Sequence, residues 1–156
     1  MSQYWIFIVK DHQHLGRIIP AREVLINRVK NKFWSLNSRA RYVRKLGQGD
    51  HVVFYVASKI ERGFMGRGIL AGEPHPITDE QRFHIIGMPS EAFDYTVEFS
   101  EAEIWGKPIS IEEVKDKMPY LKGRVKIIFR GSIIRISEED YNTLIEARKL
   151  KELEKT

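Results

Sequence analysis

The chain has 156 residues, of which 42% are hydrophobic and 30% are charged, and this composition is typical of a folded globular domain rather than of a disordered segment. The length allows one core of useful size, so we expect a single domain over residues 1–156. Cysteine is absent, which excludes disulfides, thiolate metal sites and a cysteine nucleophile, and which suits a thermostable protein.

No apolar run approaches the roughly 20 residues that a membrane-spanning helix needs. Residues 1–10 lack the basic start and the small-residue cleavage site of a secretory signal. We therefore expect a cytoplasmic protein. No glycine-rich phosphate loop or dinucleotide-binding motif follows the first apolar run, so the sequence predicts no cofactor.

The positive charge is concentrated in residues 17–45. The whole chain has a net charge of +5, whereas this segment alone holds nine basic residues against one acid, Glu23. A confined basic segment is typical of a protein that binds a polyanion. An ordinary solvated helix face would show the same pattern, and the charges alone leave both interpretations open.

The start of the chain predicts a strand, a loop and a helix. Residues 4–9 (YWIFIV) are continuously apolar, which indicates a central strand buried on both faces. Residues 11–20 contain two histidines and a glycine and are interpreted as a loop. Pro20 then begins a helix over residues 21–30, whose predicted inward side chains are Val24, Leu25 and Val29.

A second helix is predicted after Phe33 and Trp34. Ser38 is a suitable N-cap, and Gly47 is a suitable end. This helix would be strongly basic, and its predicted buried side chains are Tyr42, Val43 and Leu46.

Two strands follow, over residues 51–57 (HVVFYVA) and 64–71 (FMGRGILA), joined by a polar turn. Gly66 and Gly68 are two residues apart and therefore face the same side of the second strand. Their missing side chains predict that a ligand or another backbone approaches closely there.

Residues 73–91 are rich in proline, histidine and polar groups and are interpreted as a long loop with little regular structure. Residues 95–104 then alternate apolar and polar side chains, as a half-buried antiparallel strand does.

The last third predicts two capped helices. Ser110 and Glu113 form a capping box for a helix that Pro119 closes. Residues 127–136 contain two short β-like runs. Ser137 then begins the last helix, whose predicted inward side chains are Tyr141, Leu144 and Ile145. The elements together predict an α+β domain with a curved or barrel-like mixed sheet of about five or six strands.

An enzyme would need a cluster of reactive side chains. Asp11, His12 and His14 place a carboxylate and two imidazoles within four residues, but a closed metal site needs further ligands, and the other histidines stand at no recognisable spacing. Polar loop residues are the simpler interpretation. No nucleophile or zinc-peptidase motif is present, so we expect no metal and no catalytic activity.

The three tryptophans have different surroundings. Trp5 lies inside the first predicted strand and is expected in the core, whereas Trp105 ends an alternating strand and is ambiguous. Trp34 stands between two basic segments, where either core packing or a stacked ligand must cover its ring. Stacking of a base on an aromatic ring contributes about 1 to 3 kcal/mol. The residues alone leave both roles of Trp34 open.

The run FWSLNSRARYVRKLGQGDHVVFYVASKIERGFMGRGILAGEP, residues 33–74, resembles the EVE domain and, more distantly, the YTH domain. Both families place a Trp-Ser-like element ahead of a basic helix, a strand, and a strand of the form F-x-G-x-G or F-x-G-x-A. The resemblance extends to YWIFIVK at the start, to YTVEF at residues 95–99 and to FRGSIIRISEEDYNTLI at residues 129–145. It covers most of the chain in order.

The resemblance implies a PUA-like fold with a pocket for a nucleic-acid base. YTH domains read N6-methyladenosine in RNA, and EVE domains are implied to bind modified bases in DNA or RNA. Carried over by position, Trp34 would form one wall of an aromatic pocket, with Ser35 beside it. Lys10, Asp11 and His12 would lie at its mouth, with Asp11 or a neighbour at the base edge.

The second wall departs from the YTH pattern. YTH domains supply a tryptophan from the loop that here spans residues 73–91, and this loop contains none. Phe83 or Phe93 is expected to replace it. Arg130 falls where YTH domains keep a basic residue that contacts phosphate, and the basic segment predicts further phosphate contacts from Arg39, Arg41 and Arg44.

The predicted partner is RNA or DNA, without a membrane. The first alternative is a general RNA-binding PUA-like domain that uses the basic segment without a base pocket. The second is a PUA-like nuclease, for which Asp11, His12 and His14 are the candidate residues.

Overall fold

The computed structural model describes residues 2–85, 93–123, 129 and 131–154. The strands are β1 (Tyr4–Lys10), β2 (His12–His14), β3 (Arg17–Ile19), β4 (Phe33–Leu36), β5 (His51–Ala57), β6 (Arg62–Leu70), β7 (His75–Pro76), β8 (Tyr95–Ile109) and β9 (Ile133–Ile136). The helices are α1 (Ala21–Lys30), α2 (Asp79–His84), α3 (Ile111–Val114) and α4 (Glu138–Leu153). Within the described ranges, no helix is long and apolar enough to cross a membrane.

The main sheet has the strand order β4-β8-β6-β5-β1-β9, and β7 pairs with Tyr95 and Thr96 of β8 on the edge opposite β4. β1 runs parallel to β5, and the other neighbours in this order are antiparallel. β8 is 15 residues long, pairs with β4 through its first residues and with β6 through the rest, and thereby curls the sheet. The predicted α+β class with a curved sheet of about six strands is confirmed.

The core lies on both faces of β1, as its uninterrupted apolar sequence predicts. Trp5, Phe7 and Val9 pack with α1 and β4 on one face. Ile6 and Ile8 pack on the other face against the α4 side of the molecule. Side chains alternate across a strand, so one short run of residues serves both clusters.

The prediction of a loop over residues 11–20 is wrong, because β2 and β3 form a hairpin there. Its two-residue turn has positive φ at Leu15 (52°) and at Gly16 (77°). Such turns usually carry Asn-Gly or Asp-Gly, and a leucine at the first position conceals the turn from the sequence pattern.

The prediction of a second, basic helix between Ser38 and Gly47 is also wrong. Only a 3-10 turn, Val43–Lys45, forms in this segment. Tyr42 has a φ of 75°, and a left-handed residue with a side chain does not continue an α-helix. Ser38 donates from its backbone N–H to a carboxylate oxygen of Asp94 at 2.7 Å and does not cap a helix. Val43 and Leu46 are nevertheless buried as predicted.

The segment predicted as a long loop over residues 73–91 contains β7 and α2, which corrects that prediction. Thr78 and Gln81 form a reciprocal capping box at the start of α2, and the spacing T-x-x-Q is a helix-start signal. Residues 86–92 lie outside the described part of the chain.

The glycine face of β6 is covered by protein. A side chain at Gly66 would stand 2.3 Å from the carbonyl oxygen of Glu103 on β8, and one at Gly68 would stand 2.9 Å from the Phe99 ring. The close approach predicted from the Gly66–Gly68 spacing is therefore made by the β8 backbone and by the Phe99 ring.

The two predicted helix caps are confirmed. Ser110 and Ser137 each form a capping box, with Glu113 and Asp140 respectively. The helix after Ser110 is much shorter than expected, since α3 has four residues. Of the two β-like runs predicted over residues 127–136, β9 is the second, and most of the first lies outside the described residues.

Candidate functional site

A cavity of about 510 Å³ opens at the carboxyl end of β1, between that strand, α1 and β4. Its volume lies in the usual range of ligand sites in proteins. Residues from the segment that precedes β8 and from the turn before β9 complete the lining. Six of the seven residues predicted for a base pocket lie in this lining, namely Lys10, Asp11, His12, Trp34, Ser35 and Phe93.

The seventh, Phe83, does not line the cavity. Its side chain lies on α2, is 86% exposed and contacts only the neighbouring His84 among the described aromatic rings. Phe93 is the second aromatic residue of the lining, and its ring centroid lies 6.3 Å from that of His12. Arg82 fixes the Phe93 backbone, because one of its terminal nitrogens donates to the Phe93 carbonyl at 3.3 Å.

Arg130 lies outside the described residues. Its neighbours Gly131 and Ser132 line the cavity. The Ser132 carbonyl accepts a hydrogen bond from the backbone N–H of Ile8 at 2.9 Å, which ties this rim to β1.

Trp34 belongs to both the core and the cavity wall. It is 5% exposed, and its ring is stacked on that of Phe54 at a centroid distance of 5.1 Å and an interplanar angle of 6°. Phe7 and Phe99 contact it at 5.4 and 6.4 Å. The remaining surface of the residue borders the cavity. The two roles left open by the sequence are therefore not exclusive.

Asp11 connects the cavity mouth to the start of α1. Its carboxylate accepts hydrogen bonds from the backbone N–H groups of Ala21 at 2.8 Å and of Lys59 at 3.3 Å. Burial acts to raise the pKa of the Asp11 carboxyl, but hydrogen bonds from the Ser58 hydroxyl and from these two amides outweigh it and hold the pKa below its ordinary value. The ionised carboxylate thus acts as a remote N-cap for α1.

Arg28 is the lining residue that the sequence analysis missed. It is 2% exposed, and burial lowers the pKa of its guanidinium to about 10. A helical period places residue 28 on the same face as Ala21, Val24 and Leu25, and all four are buried. That period is the signal in the sequence. Arg28 also belongs to the basic segment, where cations are expected to face solvent, and this expectation conceals its burial.

The three arginines predicted to contact phosphate are exposed. Within the described ranges, Arg39, Arg41 and Arg44 make no ion pair. Arg39 is nearest to the cavity in sequence, and its backbone N–H donates to the side chain of Asn37, a lining residue, at 2.9 Å. The guanidinium of Arg41 lies 4.7 Å from the centroid of the Tyr42 ring.

These arginines extend away from the cavity along β1. The Tyr42 ring contacts that of Trp5 at 5.4 Å, and Trp5 lies five residues before Lys10 at the cavity mouth. At about 3.3 Å per residue, this places the two points about 16 Å apart. The chain that carries Arg39, Arg41 and Arg44 therefore runs away from the cavity, and these three exposed residues are called the arginine track below.

A second cavity of about 420 Å³ lies beside the first and shares Ile8, Lys10 and Asp11 with it. Tyr55 and Phe129 line its apolar part, with ring centroids 4.9 Å apart. Its exposed cations are Lys10, Lys59 and Arg62. Positive charge therefore flanks the end of β1 on this side as well.

A third cavity, of about 650 Å³, lies between α3 and α4 and is acidic. Five glutamates line it against two lysines, which is the wrong sign for a polyanion. Among the residues that the structure describes, no group of three or more histidine, aspartate or glutamate side chains could hold a metal ion.

The curled mixed sheet, with a parallel strand pair near its centre and a cavity at the end of β1, is the architecture of the PUA-like class. Within that class, the sequence profile of the EVE domain matches residues 3–147. The chain therefore belongs to the EVE domain family, and the predicted relationship is confirmed. No curated protein sequence matches the chain.

Solved structures of low sequence identity share the fold. Human THYN1, in complex with DNA containing 5-methylcytosine, is similar with a TM-score of 0.65 and 20% identity, over 95% of this chain and 98% of that chain. A hypothetical protein from Leishmania major has a TM-score of 0.62 and 17% identity, over 97% and 98% of the two chains. The N-terminal domain of Staphylothermus marinus McrB has a TM-score of 0.54 and 13% identity, over 94% of each chain.

Proposed function

We propose that this EVE domain binds nucleic acid and holds one unpaired or extruded base, modified or not, in the cavity at the end of β1. One observation supports the proposal most strongly. Six residues that the family resemblance assigns to a base pocket, although they are far apart in sequence, line a single cavity. The similarity to THYN1, whose structure contains DNA with 5-methylcytosine, supports nucleic acid as the partner.

The cavity has the parts that base binding needs. Trp34 and Phe93 offer aromatic surface, and Ser35 and Arg28 offer polar groups deep in the lining. Extrusion of a base costs a few kcal/mol, which stacking at about 1 to 3 kcal/mol per base and phosphate contacts offset. A methyl group on the base would add about 0.8 kcal/mol when it is fully enclosed.

The exposed arginine track supplies the phosphate contacts in this proposal. Arg39 lies close to the rim, and Arg41 and Arg44 lie farther along β1, so a strand whose base enters the cavity would run over all three. Each phosphate contact adds to the salt dependence of binding, because it releases counterions.

A second candidate is a nucleic-acid-binding surface that uses only this track. The deep burial of Trp34 and its stacking on Phe54 favour it, because they leave little of the ring for a base.

We infer that the domain has no enzymatic activity. Both carboxylate oxygens of Asp11 already accept backbone hydrogen bonds, which disfavours this residue as a metal ligand in a nuclease.

Fluorescence anisotropy with short single-stranded DNA and RNA at several salt concentrations tests the proposal. The oligonucleotides differ only in one central base, which is cytosine, 5-methylcytosine, guanine, adenine or N6-methyladenine. We expect salt-dependent binding whose affinity varies with that base. Equal affinities with the same salt slope would support the surface candidate instead. Cleavage that requires a divalent metal and is lost in Asp11→Ala would support a nuclease.

A further inference from the structure

Among the described residues, Arg28 has no acidic partner for its charge. Its guanidinium is almost completely buried in the cavity lining. Within the described part of the chain no carboxylate forms an ion pair with it, and burial is the one cause of its lowered pKa. A buried charge is costly unless it is paired or hydrogen-bonded, so its retention requires a reason.

Within the described ranges, the hydrogen bonds of Arg28 leave one end of its guanidinium without a partner. Nε donates to the Ser35 hydroxyl at 3.1 Å, and Nη1 donates to the side-chain oxygen of Asn27. Nη2 is buried and has no hydrogen-bond partner among the residues that the structure describes. Protein groups therefore hold Nε and Nη1, while Nη2 stays unmatched. Because the two N–H groups of Nη2 diverge, a bidentate contact would use one of them together with a parallel N–H of a neighbouring guanidinium nitrogen.

Aromatic rings set the orientation of this fork. Its central carbon lies 5.8 Å from the centroid of Phe33 and 5.9 Å from that of Phe93, the second aromatic residue of the cavity. These cation–π contacts and the Ser35 hydrogen bond fix the plane of the guanidinium. A fixed, planar donor pair selects for ligands by geometry, which a flexible lysine does not.

Asp11, the acidic residue among the described residues of the lining, forms no ion pair with Arg28. Its two carboxylate oxygens accept from the backbone of Ala21 and Lys59. The cavity thus has unmatched donors in its depth and an acid already occupied at its mouth. A ligand that completes the site must bring hydrogen-bond acceptors.

Resting on the function proposed above, we propose that Arg28 reads the edge of the bound base, and that the cavity takes bases with a carbonyl oxygen next to an unprotonated ring nitrogen. Guanine has this pair at O6 and N7, the commonest specific target of arginine, and cytosine with its 5-substituted forms has it at O2 and N3. Adenine places an amino donor beside its ring acceptors, and thymine and uracil place an N–H between their carbonyls. In both cases the base presents an N–H donor to the guanidinium, which itself has only donors, so the contact is unfavourable.

The proposal separates the base classes in a way that stacking does not, because every base has a face that stacks on an aromatic ring. It also disfavours N6-methyladenine, the ligand type of YTH domains, whose exocyclic N–H remains a donor. A bidentate contact contributes about 1 to 3 kcal/mol of discrimination, which corresponds to a preference of about fivefold to a hundredfold.

The test uses oligothymidine with one central cytosine, 5-methylcytosine, guanine, adenine or N6-methyladenine, and compares the wild type with Arg28→Met. We expect the wild type to bind a cytosine or guanine oligonucleotide about fivefold to a hundredfold more tightly than the adenine and all-thymine ones. In Arg28→Met this preference should disappear, so that the cytosine and guanine oligonucleotides bind no more tightly than the all-thymine one. Comparison of the cytosine and guanine oligonucleotides shows whether the cavity prefers the O2/N3 edge of cytosine or the O6/N7 edge of guanine.

Arg39→Met is the matched control, since it removes an exposed arginine of the track and should weaken binding to every oligonucleotide equally. Arg28→Lys keeps the charge without the fork and should retain only a small part of the preference. Because a buried charge without an ion-pair partner, as Arg28 is among the described residues, is costly, Arg28→Met should melt no earlier than the wild type.

The outcomes separate the two proposals. Equal affinity of the wild type for all oligonucleotides would overturn the base-binding function itself. A wild-type preference that persists in Arg28→Met, or a preference for adenine, would overturn only the role of Arg28. If Arg28→Met unfolds, Arg28→Lys decides, because an unchanged preference in that variant would make Arg28 a purely structural residue.

Discussion

Trp5 and Trp34 lie in one hydrophobic cluster, yet their surroundings differ in kind. Trp5 is 0% exposed, and its indole N–H donates to the buried carboxylate of Asp50 at 3.0 Å. Trp34 is 5% exposed, is stacked on Phe54 and borders the cavity. The difference in burial is small, whereas the difference in neighbours is large. Burial alone therefore does not distinguish a core tryptophan from one in the wall of a site.

Trp5→Ala should have the largest effect. Truncation of a buried tryptophan costs about 3 to 5 kcal/mol of unfolding free energy, and here it also removes a donor from Asp50. Chemical denaturation followed by circular dichroism measures the loss, and we expect a domain that is unfolded or nearly so. A loss below about 1 kcal/mol would contradict the central position of this residue in the core.

Trp34→Ala should reduce both stability and binding. Since the ring packs against Phe7, Phe54 and Phe99, we expect a loss of unfolding free energy near the lower end of the same range, about 3 kcal/mol. Binding should therefore be measured well below the melting temperature, with Trp34→Phe as the milder variant. Unchanged base affinity in folded Trp34→Phe and Trp34→Ala would leave Trp34 a core residue only.

Phe93→Ala tests the cavity with less damage to the core, because Phe93 is only partly buried and lies outside the two hydrophobic clusters. We expect base affinity to fall by about 1 to 3 kcal/mol and the melting temperature to change little. Phe83→Ala is the matched control, since that ring is exposed outside the cavity. Equal losses in both variants would argue against a specific role for Phe93.

Replacement of Arg39, Arg41 and Arg44 by alanine should weaken binding moderately and without regard to the base. With single strands, each lost phosphate contact reduces the slope of log affinity against log salt by about 0.7. Lys149→Ala on α4, which is exposed away from the track, should leave the slope unchanged. A wild-type slope in the triple variant would show that other cations hold the phosphates.

The smallest predicted effect concerns pH and Asp94, next to Phe93. Hydrogen bonds from the hydroxyl and then the backbone N–H of Ser38 hold the pKa of the Asp94 carboxyl below its ordinary value. Its stabilising contribution is therefore present above the unfolded pKa of about 3.9 and is lost as pH falls through the lower folded value. The contribution is small because the carboxylate is exposed.

Melting curves of the wild type and Asp94→Asn measure this effect. The wild type should melt slightly later at pH 7, and the two curves should converge in strong acid. A difference that persists at low pH would mean that the charge of Asp94 is not the cause.

The elements that the sequence predicts well have strong local signals. The apolar run of β1 and the Ser110 and Ser137 capping boxes depend on residues within a few positions of one another. The failures depend on backbone conformations that residue type does not dictate. Tyr42 and Leu15 both have positive φ, which is uncommon for residues with a side chain.

The site shows the same division. The resemblance located Trp34, Ser35 and the end of β1, because it depends on their order along the chain. Asp11 as the remote cap of α1 could not be predicted, since its partners Ala21 and Lys59 are 10 and 48 residues away. Burial of Arg28 could have been predicted from helical periodicity, because residue 28 falls on the same face of α1 as Ala21, Val24 and Leu25.

The pairing of β1 with β9 has a consequence for synthesis of the protein. Tyr4 pairs with Ile136, so β1 is synthesised long before one of its two partner strands. Contacts so distant in sequence form slowly, and until β9 leaves the ribosome one edge of β1 is an open template for other strands. The Ser132 rim arrives with β9. The nascent chain therefore cannot complete this cavity until the turn before β9 has been translated.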